Sequence, residues 1–267
     1  MPGYGNNSPD NSSRFPEGFP AVYLEDVSKR FGPIEGVNHV NFQVEGGSIV
    51  GLVGSDGAGK STLLRMIATM ISPSTGRINI HGLDVVSNAA MVKPLIGYMP
   101  QRFGLYLDLT VEENIDFFMD VFGIFGAERG KRKEEYLGFS NLLPFIDRLA
   151  GALSGGMKQK LGLACVLVHE PKVLILDEPT NGVDPISRQE FWDILGRMQQ
   201  EGMTILISTA YLDEGERCDH LVLLHKSRVL EIGTPEDIQA HYPSLEEAMI
   251  DRIHKVDEGL IHDRFRV

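Results

Sequence analysis

The sequence predicts an α/β fold with a mostly parallel sheet core, an antiparallel β edge subdomain and an inserted α-helical subdomain. A continuous apolar segment, 48–53, runs directly into a glycine-rich segment that is followed by apolar residues at helical spacing. Strand patterns return after residue 165 and alternate with helical patterns, as in a parallel sheet flanked by helices. Between them, residues 102–165 carry helical signals and few strand signals.

The first elements along the chain precede the glycine-rich segment. Residues 1–19 are rich in Gly, Pro, Asn and Ser and carry few large apolar groups, so we expect a flexible tail. Apolar residues then alternate with polar ones over 22–31 and 37–44, with Gly46 and Gly47 marking a turn, which predicts antiparallel edge strands. Residues 60–70 follow the apolar strand as a helix.

The later elements carry their own start signals. Thr110 and Glu113 form a capping box before the amphipathic run 111–121. Thr234 and Pro235 begin a short helix as its cap and first-turn proline. Further strands are predicted at 173–176, 204–207, 221–224 and 229–232, with a helix over 186–199.

Composition excludes several classes of protein. The chain of 267 residues is 42% apolar with a net charge of −12, and this acidity argues against a broad nucleic-acid surface, so no nucleic-acid partner is expected. The two cysteines lack metal-ligand spacing, and we interpret them as reduced thiols. Without an apolar run of about 18 residues or a leader pattern, we expect a protein that is neither secreted nor integral to a membrane.

The glycine-rich segment matches the phosphate-loop pattern, and it has the strand before it and the helix after it that this pattern requires. Backbone N–H groups of such a loop wrap phosphates, aided by the helix N-terminus. We expect Lys60 to bind the outer phosphates of ATP and Ser61 to hold Mg²⁺, in a P-loop NTPase fold. The predicted nucleotide-binding residues here are Gly54, Ser55, Asp56, Gly57, Ala58, Gly59, Lys60, Ser61 and Thr62.

Two carboxylates follow the apolar strand 173–176. Asp177 and Glu178 lie where a parallel sheet opens its ligand crevice, so we expect Asp177 to steady the Mg²⁺ ion and Glu178 to polarise the attacking water. Adjacent acids at a strand end are also common in solvated turns, but the phosphate loop favours function.

A third segment, Ser154, Gly155 and Gly156, opens a helix predicted to run to about residue 168. Ser154 would cap this helix, and its free N–H groups would suit a terminal phosphate. The alternative is a plain N-cap with a flexible entry.

In this order, the three segments resemble the ATP-binding subunits of ABC transporters over about residues 22–240. The resemblance implies that Ser154, Gly155 and Gly156 contact the ATP of a second subunit. It also implies that Gln101 senses the nucleotide, shares in catalysis and Mg²⁺ binding and faces a membrane partner. Similarly, it implies that Phe31 stacks on adenine and that Asp184 lies in a loop between the subunits; an ordinary core aromatic is the alternative for Phe31.

Two residues depart from the family pattern. Met157 replaces the usual glutamine of the signature, with a mild expected effect. Ala210 stands where the family normally has a switch histidine, and an alanine cannot donate a hydrogen bond to the terminal phosphate. His220 and His225 are interpreted as surface or core residues rather than substitutes. We therefore expect slow hydrolysis at this chain's own phosphate loop.

The amino-acid sequence around these positions is similar to that of the efflux branch with ABC-2 type permeases, in which some members fuse two ATPase units. This resemblance implies an exporter motor, peripheral on the cytoplasmic face of the membrane, that pairs with a permease and with a second ATPase in a homodimer or a heterodimer. An ATP-binding regulatory partner with little hydrolysis, and a soluble ABC ATPase without a permease, are the alternatives. The expected domains are a tail, 1–19, an ATPase domain, 20–240, whose helical subdomain covers about 102–165, and a helical extension, 241–267.

Two apolar patterns lie outside these motifs. Five apolar residues either receive a short helix of the permease or form the core of the helical subdomain: Phe117, Phe118, Val121, Phe122 and Phe125. The residues around 245–253 suggest a short amphipathic helix that packs back on the domain.

Overall fold

The computed structural model describes the backbone of residues 19–264 and the side chains of residues 19–257. The strands are β1 (Val22–Phe31), β2 (Ile34–Val44), β3 (Ile49–Val53), β4 (Thr75–Ile80), β5 (Leu83–Asp84), β6 (Ile96–Met99), β7 (Val173–Asp177), β8 (Thr204–Thr209), β9 (His220–His225) and β10 (Arg228–Gly233). The helices are α1 (Lys60–Ile67), α2 (Ala89–Val92), α3 (Val111–Val121), α4 (Ala127–Phe139), α5 (Gly155–Leu167), α6 (Pro185–Gln200), α7 (Leu212–Gly215), α8 (Pro235–Gln239) and α9 (Leu245–Arg264).

A six-stranded sheet forms the centre of the fold, in the order β10-β9-β3-β8-β7-β6. Its strands pair in parallel except β9 and β10, which pair antiparallel at one edge. Alternate residues of β3 point to opposite faces, where they join two separate hydrophobic cores: Val50 and Leu52 on one face, Ile49 and Val53 on the other. The predicted mostly parallel core is confirmed.

A second sheet, of order β2-β1-β4-β5, is antiparallel throughout. It contains the two edge strands that the sequence predicts. The sequence reading did not identify β4 and β5, because β4 buries only Ile78 and Ile80 and its other residues are polar, glycine or exposed. β6 was also not predicted as a strand, since it has only four residues.

The inserted helical part contains α3, α4 and α5 around a third hydrophobic core that includes Val111, Ile115 and Leu161. The predicted capping box is present, with the Thr110 hydroxyl accepting from the Glu113 N–H and the Glu113 carboxylate accepting from the Thr110 N–H. This pairing fixes where α3 begins, as the sequence predicts.

α1 ends earlier than the sequence predicts, whereas α9 packs where it is expected. The helix predicted over 60–70 is α1, which stops at Ile67 because Thr69 takes a left-handed conformation with φ 60°. At the other end of the chain, α9 packs back on the domain as predicted, with Leu245 and Ala248 fully buried and Met249 nearly so. At 20 residues, however, it is not the short helix that the sequence predicts.

The expected tail, 1–19, lies outside the described residues except for Phe19. Within the described part of the chain, no helix combines the length and apolarity needed to cross a membrane.

Candidate nucleotide site

The predicted phosphate loop joins the carboxyl end of β3 to the amino end of α1. β3 is buried along its whole length and pairs in parallel with β8 and β9, so its carboxyl end is held near the middle of the sheet edge. α1 begins at Lys60 after Gly59, a residue without a side chain to cap it. The first N–H groups of α1 are therefore free to bind an anion in front of the loop.

Two glycines of the loop are required by its geometry. Gly59 has φ 105°, and a Cβ there would lie 2.5 Å from the carbonyl oxygen of Gly36. Gly57 has φ 77°, and a Cβ built there meets no heavy atom of the described residues within 4 Å. A side chain at Gly57 would be strained and would stand in the open cavity that the loop surrounds. The loop is thus a backbone-lined cradle of the kind that fits phosphates.

Lys60 is only 4% exposed, and its ammonium group points back towards the loop. Nζ donates to the carbonyl oxygens of Gly54 at 2.7 Å and Ser55 at 3.2 Å, and it lies 3.3 Å from Oε1 of Glu178. A buried cation needs such acceptors, and here they hold the charge between the loop and the acidic strand end.

Asp177 ends β7 and is almost fully buried. Its Oδ1 accepts from the hydroxyls of Ser61 and Ser208, both at 2.8 Å, and its Oδ2 accepts from the Tyr98 hydroxyl at 3.5 Å. Burial, together with the nearby Asp177 carboxylate, raises the pKa of Tyr98, which stays a neutral donor. The structure therefore brings Ser61 and Asp177 together as the sequence reading expects, with Ser208 between the strands.

Glu178 follows directly, in a left-handed conformation with φ 49°. Its backbone N–H donates to the Ser208 hydroxyl at 3.0 Å. Its Oε2 accepts from Nε2 of Gln101 at 2.9 Å and from Nδ2 of Asn181 at 3.3 Å. Backbone and side-chain contacts together aim this carboxylate into the cavity beside Lys60.

One cavity of about 510 Å³ contains most of the predicted nucleotide-binding residues. It runs from the loop to Phe31, whose ring is 47% exposed and lies under the ammonium of Lys29, 5.3 Å from its centroid. An aromatic face that is open to a cavity can stack on a flat ligand, so the core alternative for Phe31 does not describe its position. The lining residues are Phe31, Ile34, Glu35, Gly36, Asp56, Gly57, Ala58, Gly59, Lys60, Ser61, Thr62, Gln101 and Glu178.

The signature segment lies elsewhere on the surface. Ser154 caps α5 by accepting from the Met157 N–H at 3.2 Å, and both Ser154 and Gly155 are exposed. Gly156 is buried against α6, where a Cβ would lie 2.3 Å from that of Ser187. None of the three signature residues is among the described residues that line the cavity at the loop. Met157 packs against the core of the helical part.

Asp184 lies next to the signature segment because it caps α6, the helix that Gly156 touches. It is exposed, and its carboxylate accepts from the Ser187 N–H at 3.0 Å. This hydrogen bond and one from the Ser187 hydroxyl lower the pKa of Asp184. Ser154, Gly155 and Asp184 therefore form one exposed patch.

A second, smaller cavity of about 220 Å³ adjoins Glu178 on the side away from Phe31. Ala210 and Tyr211 line it together with Asp56 and Asn181. Neither His220 nor His225 is among its lining residues within the part of the chain that is described, which agrees with the interpretation that they do not replace the missing histidine. Asn181, Ser208 and Tyr211 were missed in the sequence, where nothing in their spacing marks them.

Five apolar residues on and just after α3, here called the α3 stripe, are mostly open to solvent: Phe117, Phe118, Val121, Phe122 and Phe125. Phe117, Val121, Phe122 and Phe125 are 38%, 62%, 43% and 67% exposed, whereas Phe118 packs against the helical core. The interpretation of the whole stripe as core is therefore wrong, because α3 turns a different face, with Val111, Ile115 and Met119, inward. Phe122 stacks on His169 at 4.0 Å in a groove of about 440 Å³ between α3 and the central sheet.

The chain is similar in sequence and in structure to known proteins. The family model described as ABC transporter matches residues 37–181. The chain is 47% identical over 217 residues to a probable multidrug ABC transporter ATP-binding protein, YbhF, of Escherichia coli strain K12; the match covers 80% of this chain and 38% of that protein. It therefore spans well under half the length of that relative.

Two further matches cover most of this chain and most of the protein to which it is compared. The Nod factor export ATP-binding protein I of Rhizobium etli is 36% identical over 219 residues, which is 82% of this chain and 69% of that protein. A solved structure described as the ATP-binding subunit of an ABC transporter superimposes with a TM-score of 0.78 at 31% identity, covering 87% of this chain and 99% of that one.

Proposed function

This chain belongs to the ABC transporter family, and we propose that it is the ATP-binding and ATP-hydrolysing motor subunit of an exporter. The observation that carries the proposal is the convergence of Lys60, Ser61, Asp177 and Glu178 at one edge of the central sheet. ATP hydrolysis requires these groups: a cation that binds phosphate, a hydroxyl that binds the metal ion, and two carboxylates.

The residues at the loop have separable tasks. The backbone N–H groups of 54–59 and the Lys60 ammonium bind the phosphates, while the Phe31 ring stacks on adenine. The oxygens of Ser61 and Asp177 suit Mg²⁺, and Gln101 lines the same cavity as Ser61, so these residues would hold the ion. When bound, Mg²⁺ neutralises charge that develops on the phosphates.

Glu178 is the group that we assign to the attacking water. Its Oε2 faces the cavity between the amides of Gln101 and Asn181, which orient the carboxylate. A carboxylate at this position accepts the hydrogen bond of a water and so increases its nucleophilicity.

The exposed patch of Ser154, Gly155 and Asp184 supports a dimer. These polar groups lie outside the chain's own cavity, and the N-terminus of α5 is open to an anion there. We propose that this patch contacts the ATP held by a second ATPase subunit, either another copy or a different chain.

The α3 stripe and its groove support a membrane partner. Large apolar side chains that stay exposed beside a groove are typical of sites that accept an amphipathic helix. We propose that an ABC-2 type permease inserts a short helix here, which places the chain peripherally on the cytoplasmic face of the membrane.

We further propose an ATPase domain over 20–240, with its helical subdomain over about 102–165, and a C-terminal extension over 241–267.

A second candidate function is an ATP-binding regulatory partner with little hydrolysis. Ala210 is the observation that favours it, because no imidazole reaches the nucleotide from this position. The polar contacts made by Glu178 favour slow catalysis instead.

The test is Mg²⁺-dependent ATP hydrolysis by the full chain, alongside Lys60→Ala and the matched control Lys131→Ala, whose lysine is exposed on α4. We expect hydrolysis that chelation of Mg²⁺ removes, a loss of ATP binding in Lys60→Ala and wild-type behaviour in Lys131→Ala. ATP binding without any hydrolysis would instead support the regulatory partner, and the absence of both would overturn the proposal.

A further inference from the structure

Tyr211 occupies the position next to the alanine that replaces the switch histidine. Ala210 directly follows β8 and lines the second cavity, where its methyl group offers no hydrogen bond to Glu178 or to a phosphate. Tyr211, the next residue, lines the same cavity with a hydroxyl and is 37% exposed. The missing polar group thus has a polar neighbour within the same small space.

The Tyr211 hydroxyl is linked to Glu178 through one side-chain amide. Tyr211 donates to Oδ1 of Asn181 at 3.4 Å, and Nδ2 of Asn181 donates to Oε2 of Glu178 at 3.3 Å. Because the Glu178 carboxylate can only accept, Nδ2 of Asn181 faces it, and the Tyr211 hydroxyl holds the opposite end of the same amide. Both distances are long, as is common for catalytic hydrogen bonds before substrate closes a site.

The tyrosine is itself held in place by a buried network. Its backbone N–H donates to the Thr209 hydroxyl at 3.0 Å, and the guanidinium of Arg188 lies 4.6 Å from its ring centroid. Thr209 in turn donates to the buried Glu214 at 2.6 Å. An aromatic ring clamped in this way can keep its hydroxyl in one direction at little further entropic cost.

We propose that Tyr211 is a positioning residue for ATP hydrolysis, acting through Asn181 on the Glu178 carboxylate in place of the absent histidine. The inference rests on the proposed function, since it assigns the orientation of Glu178 during that reaction. Tyr211 exchanges no proton and forms no bond in the step: the oxygen of water bonds to the terminal phosphorus, the bond to the bridging oxygen breaks, and ADP leaves with that electron pair. The proton that the water loses departs with the released inorganic phosphate. Glu178 accepts the hydrogen bond of the water throughout.

The experiment compares Tyr211→Phe in two backgrounds, the wild type and Ala210→His. Phenylalanine keeps the ring and its contact with Arg188 and removes only the hydroxyl. In the wild type we expect kcat to fall about five-fold, the effect of one hydrogen bond, with KM and the affinity for a fluorescent ATP analogue unchanged. In the Ala210→His background we expect less than about a two-fold fall, because the imidazole supplies a second polar contact.

Two further variants separate positioning from general stability. Asn181→Leu should lower kcat as Tyr211→Phe does, and the double variant should be no worse than either single one. Tyr242→Phe is the matched control, because it also removes a hydroxyl bound to a carboxylate, that of Asp251 at 2.5 Å, but outside the site. It should leave kcat unchanged.

The outcomes distinguish the inference from the function on which it rests. Equal activity of Tyr211→Phe and wild type, or the same fall in both backgrounds, overturns the role of Tyr211 while ATP hydrolysis stands. A fall in ATP affinity as large as the fall in kcat also overturns it. So does a loss of thermal stability large enough to account for the fall in kcat. If neither the wild type nor Ala210→His hydrolyses ATP, the proposed function fails, and the inference fails with it.

Discussion

The Ser61 hydroxyl donates a 2.8 Å hydrogen bond to Asp177, joining the first turn of α1 to the end of β7. α1 follows β3 through the phosphate loop, and β3 and β7 are not neighbours, since β8 lies between them. Ser208 of β8 fills the gap by donating to the same carboxylate oxygen. This three-strand contact brings the phosphate loop and the acidic strand end into one site.

Glu178→Gln should slow ATP hydrolysis roughly a hundred-fold or more, because the amide is a far weaker hydrogen-bond acceptor for water than the carboxylate. ATP binding should persist, and an ATP-bound dimer should accumulate, which light scattering detects. The control Glu236→Gln removes an exposed carboxylate on α8 and should hydrolyse normally. Normal turnover in Glu178→Gln would contradict the assigned role.

Ala210→His should accelerate hydrolysis about ten-fold by adding a hydrogen-bond donor next to the reacting phosphate. The adjoining cavity of about 220 Å³ leaves room for an imidazole. Steady-state phosphate release at saturating ATP measures the effect. Ala210→Val fills part of the same space without a donor, so an equal acceleration in that variant would show that the donor is not the cause.

Glu214→Gln should lower the free energy of unfolding by about 2 kcal/mol. The carboxylate is 1% exposed and accepts from both Thr180 and Thr209, and an amide offers only one oxygen to these hydroxyls. Urea unfolding measures the change. Glu216→Gln, on the exposed side of the same turn, is the control and should stay within about 0.5 kcal/mol of wild type.

His169 should make the fold sensitive to mild acid. Burial is the largest cause that lowers its pKa, and Arg132 adds to it, although the hydrogen bond to the carbonyl oxygen of Ile96 opposes the shift. Because the folded pKa lies below the unfolded value of about 6.5, the contribution to stability is fully present above that pH. It is lost progressively as the pH falls from about 6.5 through the folded pKa.

Urea unfolding at pH 7.5 and 5.5 tests this sign. The wild type should lose more stability between the two values than His169→Phe, which keeps a ring on Phe122 but cannot titrate. The exposed His241→Gln should retain the wild-type difference. A wild-type difference that is unchanged in His169→Phe would exclude His169 as the source.

Phe125→Asp should reduce the fraction of the chain that sediments with membranes from cells that contain its natural permease. The side chain is 67% exposed on the α3 stripe, and a carboxylate there cannot enter an apolar contact without losing its hydration. Val86→Asp introduces the same charge at a position 53% exposed in the turn after β5 and should not change the fraction. Equal loss in both variants would remove the stripe from the proposed interface.

Local patterns in the sequence predicted the central α/β fold, the capping box of α3 and the positions of the loop, the acidic pair and the signature helix. They could do so because strand alternation, glycine conformation and helix caps depend on residues within a few positions of one another. The short or half-exposed strands β4, β5 and β6 escaped prediction, since their stability comes from the neighbouring strands with which they pair.

The tertiary structure alone decided which side chains complete the site and which face of α3 stays open. Ser208 reaches Asp177, and Tyr211 reaches Glu178 through Asn181, only because β8 lies between β3 and β7. Likewise, the α3 stripe has the spacing of a core face, but the helical subdomain buries a different face of α3. Such contacts join residues far apart in the chain, and their geometry follows from strand order and packing, which no local pattern encodes.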